Sequence, residues 1–425
     1  MTRKNNLRLR NMLQNALILL LTASALFLFL KTGLVRTGDL RHMFSSVSQA
    51  AVPSDSAGAN WQFPLQIAVR SGGECRAWLD QTTTGDIFED VGPLLTEALG
   101  SANGVTAVDE EEFRRALENN SIYYDFKTAL PLSLLAQTLG SDESPHVSAR
   151  ALLLSSLQDT TAALYAWNPE ENTYYRWSTT VSSDNLASAV ERNTGTAAEF
   201  AYLSDAPYNA LAPCTLISQE QPVLFDLSAA SAESGSDGDT LLTRLEFNVH
   251  SNSRYKQSDG TEVIKQGMRT LRFSPNGSVS YSGSSDDGVD LLQIPHTGES
   301  ATQLECANGA WKTADTLLSD RLGDATLYLR SITSDAHGNA EIQFGYMVNG
   351  YPIVFPDGYA AKITITENAI TDMTLQLRTY TLSETAASML PVLQAAAAVQ
   401  GETPELFPGY LDDGSDLLSP CWLQR

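Results

Sequence analysis

Three short apolar runs lie in residues 151–177, ALLLSSLQDTTAALYAWNPEENTYYRW, and polar residues separate them. The runs Ala151–Leu154, Ala162–Trp167 and Thr173–Trp177 have the length of strands. The second separator, NPEEN at 168–172, contains the Asn and Pro that are typical of turns. Because short connections join neighbouring strands in antiparallel order, this stretch predicts three consecutive antiparallel strands.

The later part of the chain repeats this pattern. Thr270–Phe273 and Ser278–Tyr281 flank Asn276-Gly277, which is a strong hairpin signal. Other segments, which lie outside these strands, have apolar residues at helical spacing. One of them is Asp109–Glu118, with Asp109 as the expected N-cap. Strands joined by short turns, with the helices segregated, predict an α+β fold with antiparallel sheets.

Composition also predicts the domain organisation. Two stretches rich in Ser, Ala, Pro and Gly, residues 44–60 and 228–239, have the composition of flexible linkers. They predict two extracytoplasmic α+β domains, or three if the second is divided. The predicted segments are a cytoplasmic tail at 1–11, a transmembrane helix at 12–30, a tether at 31–60, a first domain at 61–227, a linker at 228–239, a second region at 240–400 with possible subdomains 240–300 and 301–400, and a loosely docked acidic tail at 401–425.

Residues Met12–Leu30, MLQNALILLLTASALFLFL, contain no charged residue. A helix of this length is about 28 Å long, close to the hydrocarbon thickness of a bilayer. Four Lys and Arg residues precede it, so the positive-inside rule predicts a cytoplasmic N-terminus and a cell-membrane protein whose bulk is extracytoplasmic. The alternative is a cleaved signal peptide, but the apolar run exceeds the usual length and Ala23-Ser24-Ala25 lies inside it.

Gln14 and Asn15 fall in the first turn of this apolar segment. One interpretation places both side chains at the depth of the lipid headgroups without a special role. The other is that one of them hydrogen-bonds to a partner helix, because polar side chains favour helix association in lipid. Both are therefore candidate partner contacts.

The charge balance excludes one class of function. The 425 residues include 27 Lys and Arg against 50 Asp and Glu, a net charge of −23 at pH 7. Residues 1–41 contain seven of the cations and a single Asp, so the remaining residues carry −29. Nucleic-acid binding requires clustered Lys and Arg, and the exterior is therefore not predicted to bind nucleic acid.

The sequence contains no catalytic signature. Motifs of serine hydrolases, zinc peptidases and phosphate-binding loops are absent, and the five His are isolated from one another and from Cys. Asp412–Asp416 and Asp286–Gly288 do not complete a calcium-binding loop, and we interpret them as solvated acidic turns. We predict no enzyme activity, no cofactor and no metal.

Four cysteines, Cys75, Cys214, Cys306 and Cys421, lie outside the membrane on this topology. They allow three disulfide pairings, and buried free thiols are an equal alternative because a large core does not require disulfides. No C-x-x-C sequence is present, so a redox-active dithiol of that type is not predicted.

Several stretches resemble the YycH/YycI proteins of low-GC Gram-positive bacteria. They are Ile122–Phe126 followed by Leu130–Leu135, the Tyr255–Tyr281 arrangement, Phe344–Ile353, Lys362–Ile365, and the Leu390-Pro391…Gln394-Ala395 ending. The resemblance implies a non-enzymatic, membrane-anchored regulator that contacts a sensor histidine kinase of the cell envelope. A paralogous accessory protein is a further candidate partner.

Phe344–Ile353, FGYMVNGYPI, is the most apolar and aromatic strand-turn of the exterior. One interpretation is a hairpin of the core. The other is a partner-facing edge, which makes Phe344, Tyr346 and Tyr351 candidate contact residues.

Two other functions compete with a kinase regulator. A module that binds cell-wall polysaccharide would also be anchored outside the membrane. An envelope hydrolase could use carboxylates that are dispersed in the sequence, because a glycosidase pair needs no fixed spacing.

Overall fold

The computed structural model describes residues 64–425, except residues 80, 142–143, 157–159, 170, 193–194, 232–235, 251–252, 336 and 402. The predicted cytoplasmic tail, transmembrane helix and tether lie outside the described residues. Within that described range, no helix is both long and apolar enough to cross a membrane.

The described residues before 225 include nine strands and four α-helices. The strands are β1 Gln66–Ser71, β2 Glu74–Trp78, β3 Asn103–Val108, β4 Ser121–Pro131, β5 Ser148–Ser155, β6 Thr161–Asn168, β7 Thr173–Ser182, β8 Thr196–Phe200 and β9 Leu216–Ser218. The helices are α1 Gln81–Ser101, α2 Glu110–Glu118, α3 Leu132–Thr138 and α4 Ser183–Arg192.

These nine strands form one antiparallel sheet in the order β3-β7-β6-β5-β4-β1-β2-β8-β9. The three predicted consecutive strands are confirmed as β5, β6 and β7, with Leu154 opposite Leu164 and Leu164 opposite Trp177. Both faces of the sheet are covered. Leu152 and Leu154 share a core with α1 and α4, whereas Leu153 packs with Phe113 of α2 on the other face. The central strands are therefore almost continuously apolar.

The described residues from 225 onward include fourteen strands and three α-helices. The strands are β10 Phe225–Ser231, β11 Arg254–Lys256, β12 Glu262–Gln266, β13 Arg269–Phe273, β14 Ser278–Ser282, β15 Ala325–Ser334, β16 Ala340–Val348, β17 Tyr351–Val354, β18 Ala361–Thr366, β19 Ala369–Gln376, β20 Arg378–Ala386, β21 Leu406–Leu411, β22 Leu417–Leu418 and β23 Cys421–Gln424. The helices are α5 Ser236–Arg244, α6 Gln303–Leu318 and α7 Val392–Ala398.

Eleven of these strands form a second sheet, in the order β11-β12-β13-β14-β19-β18-β16-β17-β21-β23, with β15 beside β16. The predicted Asn-Gly hairpin is confirmed: Gly277 has a φ of +83°, and Phe273 pairs with Val279. Only Gly adopts this backbone conformation without a steric cost. Helix α6 packs on the sheet through Trp311, whose ring lies 5.7 Å from that of Phe344. The α+β class with antiparallel sheets is confirmed, with β17 and β21 as a parallel pair.

The structure corrects the predicted division into domains. The described residues from 64 to 425 form one compact unit, and β14 pairs with β19, so a single sheet crosses the subdomain boundary predicted at residue 300. Residues 228–231, assigned to a linker, belong to β10, which lies between β20 and β22. Their composition resembles a linker, but Leu227 and Ala229 are buried while Ser228 is exposed, which is the alternation of a strand.

The acidic tail is also corrected. Its residues form β21, β22 and β23, and Asp412, interpreted as part of a solvated turn, is buried. The Arg378 guanidinium donates from Nε and from a terminal nitrogen to the two carboxylate oxygens of Asp412, at 3.0 Å each. The Tyr380 hydroxyl donates to the same carboxylate at 2.6 Å. This buried ion pair holds the tail against β20, which forms a separate three-stranded sheet with β10 and β22.

Removing one partner of this ion pair should destabilise the fold. Arg378→Met leaves the Asp412 carboxylate buried without its cation, and we expect the free energy of unfolding to fall by about 3–5 kcal/mol. The measurement is the urea unfolding curve of the full chain. Arg272→Met, at an exposed position of β13, is the matched control and should change stability by about 0.5 kcal/mol or less. Equal unfolding curves for Arg378→Met and the control would contradict this assignment.

Candidate functional site

A cleft lies where the first sheet meets the second sheet and the tail. It consists of two adjoining cavities of about 200 and 400 Å³. The two cavities share part of their lining, namely Gln66, Leu79, Lys127, Tyr351, Phe407 and Pro408. We call them the first and the second cavity. Together they are large enough for a small ligand or a short segment of chain.

The two cavities differ in character. Lys127, Arg330, Arg425 and Glu405 are the charged side chains that line the first cavity, and Leu65, Tyr328, Met347, Pro352, Val354 and Leu423 add apolar walls. The second cavity is lined by Trp78 and Trp422 and by short polar side chains such as Thr215. The cleft is therefore largely apolar, with its cationic groups gathered at one end.

A buried ion cluster lies beside the first cavity. Lys127 Nζ lies 2.9 Å from Asp125 Oδ2 and 2.5 Å from Glu405 Oε1. A terminal nitrogen of Arg150 lies 3.2 Å from the same Asp125 oxygen and 2.6 Å from the same Glu405 oxygen. Two cations and two carboxylates thus alternate. Arg150 also lies over the Trp167 ring, 5.4 Å from its centroid, which adds a cation–π contact.

The cluster keeps its carboxylates ionised. Burial by itself would raise the pKa of Asp125, but the charges of Arg150 and Lys127 outweigh burial and hold this pKa well below its usual range. Burial and the same two cations act on Glu405, and its pKa is also lowered. The pKa of Arg150 is raised although burial opposes its charge, because Asp125 and Glu405 lie beside it. Asp125, Glu405 and Arg150 are therefore charged at neutral pH.

Lys127 has an unusual backbone conformation. Its φ is +59°, and it lies in the irregular part of β4 where the pairing with β5 shifts between Asp125 and Leu130. The Lys127 backbone N–H donates to Asp125 Oδ1 at 2.7 Å, which compensates for the lost ladder pairing. A non-glycine residue in this region is held there only when its surroundings stabilise it. The ion cluster supplies that stabilisation.

The tail completes the cluster from the other side. The backbone N–H of Glu405 donates to the Arg425 carbonyl, and the backbone N–H of Arg425 donates to the Glu405 carbonyl, both at 3.0 Å. The Arg425 guanidinium donates to the Lys127 carbonyl at 2.6 Å. Residues 405 and 425 are thus hydrogen-bonded to each other, and Arg425 is hydrogen-bonded to β4. These hydrogen bonds join segments that are far apart in the sequence.

The described side chains do not include an activated nucleophile among the cysteines. Burial raises the pKa of Cys75 to about 12, of Cys214 to about 12 and of Cys306 to about 11. Burial also raises the pKa of the Cys421 thiol. Thiols of this kind remain protonated and unreactive at neutral pH. Within the described part of the chain, no three His, Cys, Asp or Glu side chains cluster so that they could hold a metal ion.

An exposed apolar patch borders the second cavity. Val223, Leu390 and Leu393 are 67%, 57% and 51% exposed. The Gln221 side-chain amide donates to the Met389 carbonyl at 3.0 Å, and the Trp422 indole N–H donates to the Leu390 carbonyl at 2.8 Å. These hydrogen bonds place the patch beside the cleft. Apolar side chains grouped at a surface are typical of sites of protein contact.

Of the candidate contact residues that were predicted from the sequence, two are buried and one lines the cleft. Phe344 and Tyr346 are fully buried, so the core-hairpin interpretation describes them and their assignment as surface contacts is corrected. Phe344 packs against α6, and the Tyr346 hydroxyl donates to the Gln376 carbonyl at 2.6 Å. Tyr351 lines both cavities and stays a candidate.

Gln14 and Asn15 lie outside the described residues. Sequence reasoning missed the ion cluster and the apolar patch. Asp125 lies in the predicted strand Ile122–Phe126. A carboxylate among apolar residues of a strand was the one local indication of a buried ion pair. Nothing in the sequence paired it with Glu405, which lies 280 residues later.

Comparison with known proteins identifies one similar structure. No protein-family model matches the chain, and no curated protein sequence matches it. The crystal structure of YycH from Bacillus subtilis has a similar fold, with a TM-score of 0.53 over 86% of this chain and 94% of that chain. The sequences are 11% identical over this alignment, so the likeness is one of fold. The described part of the chain thus has a YycH-like α+β fold.

The ion cluster predicts a pH-dependent stability. Because the pKa values of Asp125 and Glu405 are lower in the folded state, both carboxylates stabilise the fold above about pH 5, and this contribution is lost as the pH falls below about 4. Glu405→Gln should lower the free energy of unfolding by about 3 kcal/mol at pH 7. The Tm difference between wild type and variant should then shrink towards pH 3.

Glu89→Gln, at an exposed position of α1, is the matched control and should follow the wild-type Tm at every pH. A Tm difference for Glu405→Gln that is constant from pH 7 to pH 3 would show that the Glu405 carboxylate does not titrate as described.

The thiols give an independent test of the core. Cys75, Cys214 and Cys306 are buried and Cys421 is half-buried, and all four are free. At pH 8 the folded chain should react with Ellman's reagent slowly and at Cys421 first, because burial hinders access and raises the thiol pKa. In denaturant all four should react rapidly without a reductant. Fewer than four thiols under those conditions would indicate a disulfide.

Proposed function

We propose that this chain is a membrane-anchored, extracytoplasmic accessory regulator of a sensor histidine kinase. The single observation that carries the proposal is the YycH-like fold, which extends over 94% of the compared chain. The sequence resemblance to the YycH/YycI proteins between residues 122 and 395 supports the same assignment. The uncharged run Met12–Leu30 supports the membrane anchor.

The proposed activity is protein–protein contact and not chemistry. Asp125, Lys127, Arg150 and Glu405 beside the cleft are ion-paired to one another, and the thiols have raised pKa values. The apolar patch formed by Val223, Leu390 and Leu393 offers a surface that a partner would bury. We assign this patch to contact with the extracytoplasmic part of the kinase, and Gln14 and Asn15 to contact with its membrane helices.

Regulation by contact requires a preference between kinase states. A partner that binds two states equally leaves their populations unchanged, however tightly it binds. A preference of about tenfold corresponds to about 1.4 kcal/mol of differential binding free energy, which a few apolar contacts supply. The proposed regulator therefore acts through a modest difference between two docked arrangements.

Co-purification tests the proposal directly. The full chain, tagged at its C-terminus and solubilised from host membranes, should recover a histidine kinase that mass spectrometry identifies. Leu393→Glu introduces a charge into the proposed contact and should lower the recovered kinase about fivefold or more. Met268→Glu is the matched control, because Met268 is 80% exposed between β12 and β13, and it should leave recovery unchanged.

The signalling readout is separate from binding. Deleting residues 1–31 should release the chain from the membrane fraction and alter transcription of the genes that the kinase controls. Unchanged transcription after this deletion, or equal kinase recovery by Leu393→Glu and Met268→Glu, would count against the proposal.

A further inference from the structure

The first cavity has a charge opposite to that of the molecule around it. Three of the four charged side chains in its lining are cations, Lys127, Arg330 and Arg425, whereas the described chain is strongly acidic. Lys127 is neutralised within the ion cluster. Arg330 and Arg425 form no ion pair with a described carboxylate. Burial lowers the pKa of Arg425, the charges of Arg150 and Arg330 act in the same direction, and those of Glu405 and Asp125 act against it. This end of the cleft therefore attracts an anion.

Two buried polar atoms along the cleft also have no partner among the described residues. Glu405 accepts from Lys127 and Arg150 through Oε1, but its buried Oε2 receives no hydrogen bond. Thr215, 3% exposed in the lining of the second cavity, has a buried hydroxyl without a hydrogen bond. Other residues of the described chain also have such atoms, but Glu405 and Thr215 are the ones in the cleft lining, where a ligand with hydrogen-bonding groups would complete them.

We propose that the cleft binds the end of a short peptide that has a free C-terminal carboxylate and apolar side chains. The carboxylate lies in the first cavity near Arg330 and Arg425. The amide N–H groups next to it can donate to Glu405 Oε2, since a peptide terminus presents an anion and a donor side by side. The preceding residues follow the shared lining into the second cavity, where the backbone can bond to the Thr215 hydroxyl and apolar side chains can pack on Trp78, Tyr351 and Trp422.

This ligand chemistry explains more of the cleft than an anion alone. A simple anion would satisfy the cations but leave Glu405 Oε2 and Thr215 unpaired, and it would leave the apolar walls exposed to water. A purely apolar ligand would leave every polar group unpaired. Capture of a terminal carboxylate is a recurrent mode of peptide recognition. The chemistry is shared by the C-termini of proteins, made of L-residues, and by cell-wall stem peptides that end in D-residues.

The test uses the full chain in detergent micelles and N-terminally fluorescent hexapeptides of Ala and Leu, measured by fluorescence anisotropy. One peptide ends in L-Ala-L-Ala, one in D-Ala-D-Ala, and each has a C-terminal carboxamide as its control. At least one carboxylate peptide should bind, and its carboxamide should bind about tenfold or more weakly, because a charged hydrogen-bonded contact is lost. Preference for the D form indicates a cell-wall source, preference for the L form indicates a protein terminus, and equal binding indicates recognition through carboxylate and backbone alone.

Two variants test the assigned residues. Arg330→Gln should weaken binding about fivefold or more, whereas Arg272→Gln, at an exposed position of β13 outside the cleft lining, should leave it unchanged. Thr215→Val removes the unpaired hydroxyl, so it should preserve the Tm and weaken binding about threefold. This variant keeps the test decisive if Arg330→Gln unfolds.

Absence of saturable binding up to about 1 mM, or equal affinity for carboxylate and carboxamide, would overturn the inference. Unchanged binding by both Arg330→Gln and Thr215→Val would overturn it as well. The inference does not rest on the kinase proposal, because no kinase is present in this experiment. Either can fail while the other stands.

Discussion

The contact between Glu405 and the pair Lys127 and Arg150 links three parts of the molecule. Glu405 comes from the tail, Lys127 from the irregular part of β4, and Arg150 from β5. Charges buried at such a junction are costly unless each one is paired, so the cluster forms only when all three segments are in place. The tail then supplies β21 and β23 to the edge of the second sheet. Correct placement of the tail is thus coupled to correct placement of both sheets.

The same constraint creates the cleft. The tail forms an edge of the second sheet beside β17, and the cleft next to it is lined by residues of β17 and by residues around β1 and β2. The paired charges of Lys127 and Glu405 form part of the wall of the first cavity, while Arg330 and Arg425 add cationic character without a carboxylate partner in the described range. The ion cluster and the candidate ligand site therefore lie next to each other. The apolar patch lies at the other end of this cleft, and ligand binding there would take place next to the proposed partner surface.

Local patterns in the sequence were sufficient for much of the fold. The three strands of residues 151–177, the Asn-Gly hairpin at 276–277 and the N-cap at Asp109, whose side chain accepts from the Glu112 N–H at 2.8 Å, all depend on neighbours in the sequence. The predictions of a linker at 228–231 and of a loosely docked tail were wrong. Both were based on composition, whereas strand pairing with distant segments determines the structure of these residues. Small and acidic residues are common in linkers, but Leu227, Ala229 and Asp412 are buried by strands and an Arg that lie far away in the chain.

What the amino-acid sequence determined by itself is the α+β class, the antiparallel pairing of adjacent strands and the apolar N-terminal run, because each arises from periodicity or composition within a short window. Only the tertiary structure decided that the described residues 64–425 form one compact unit, that Phe344 and Tyr346 are core residues, and that Asp125, Lys127, Arg150 and Glu405 share a site. The physical reason is that burial and ion pairing depend on which surfaces meet. Residues 125 and 405 come together only after two sheets and the tail have packed.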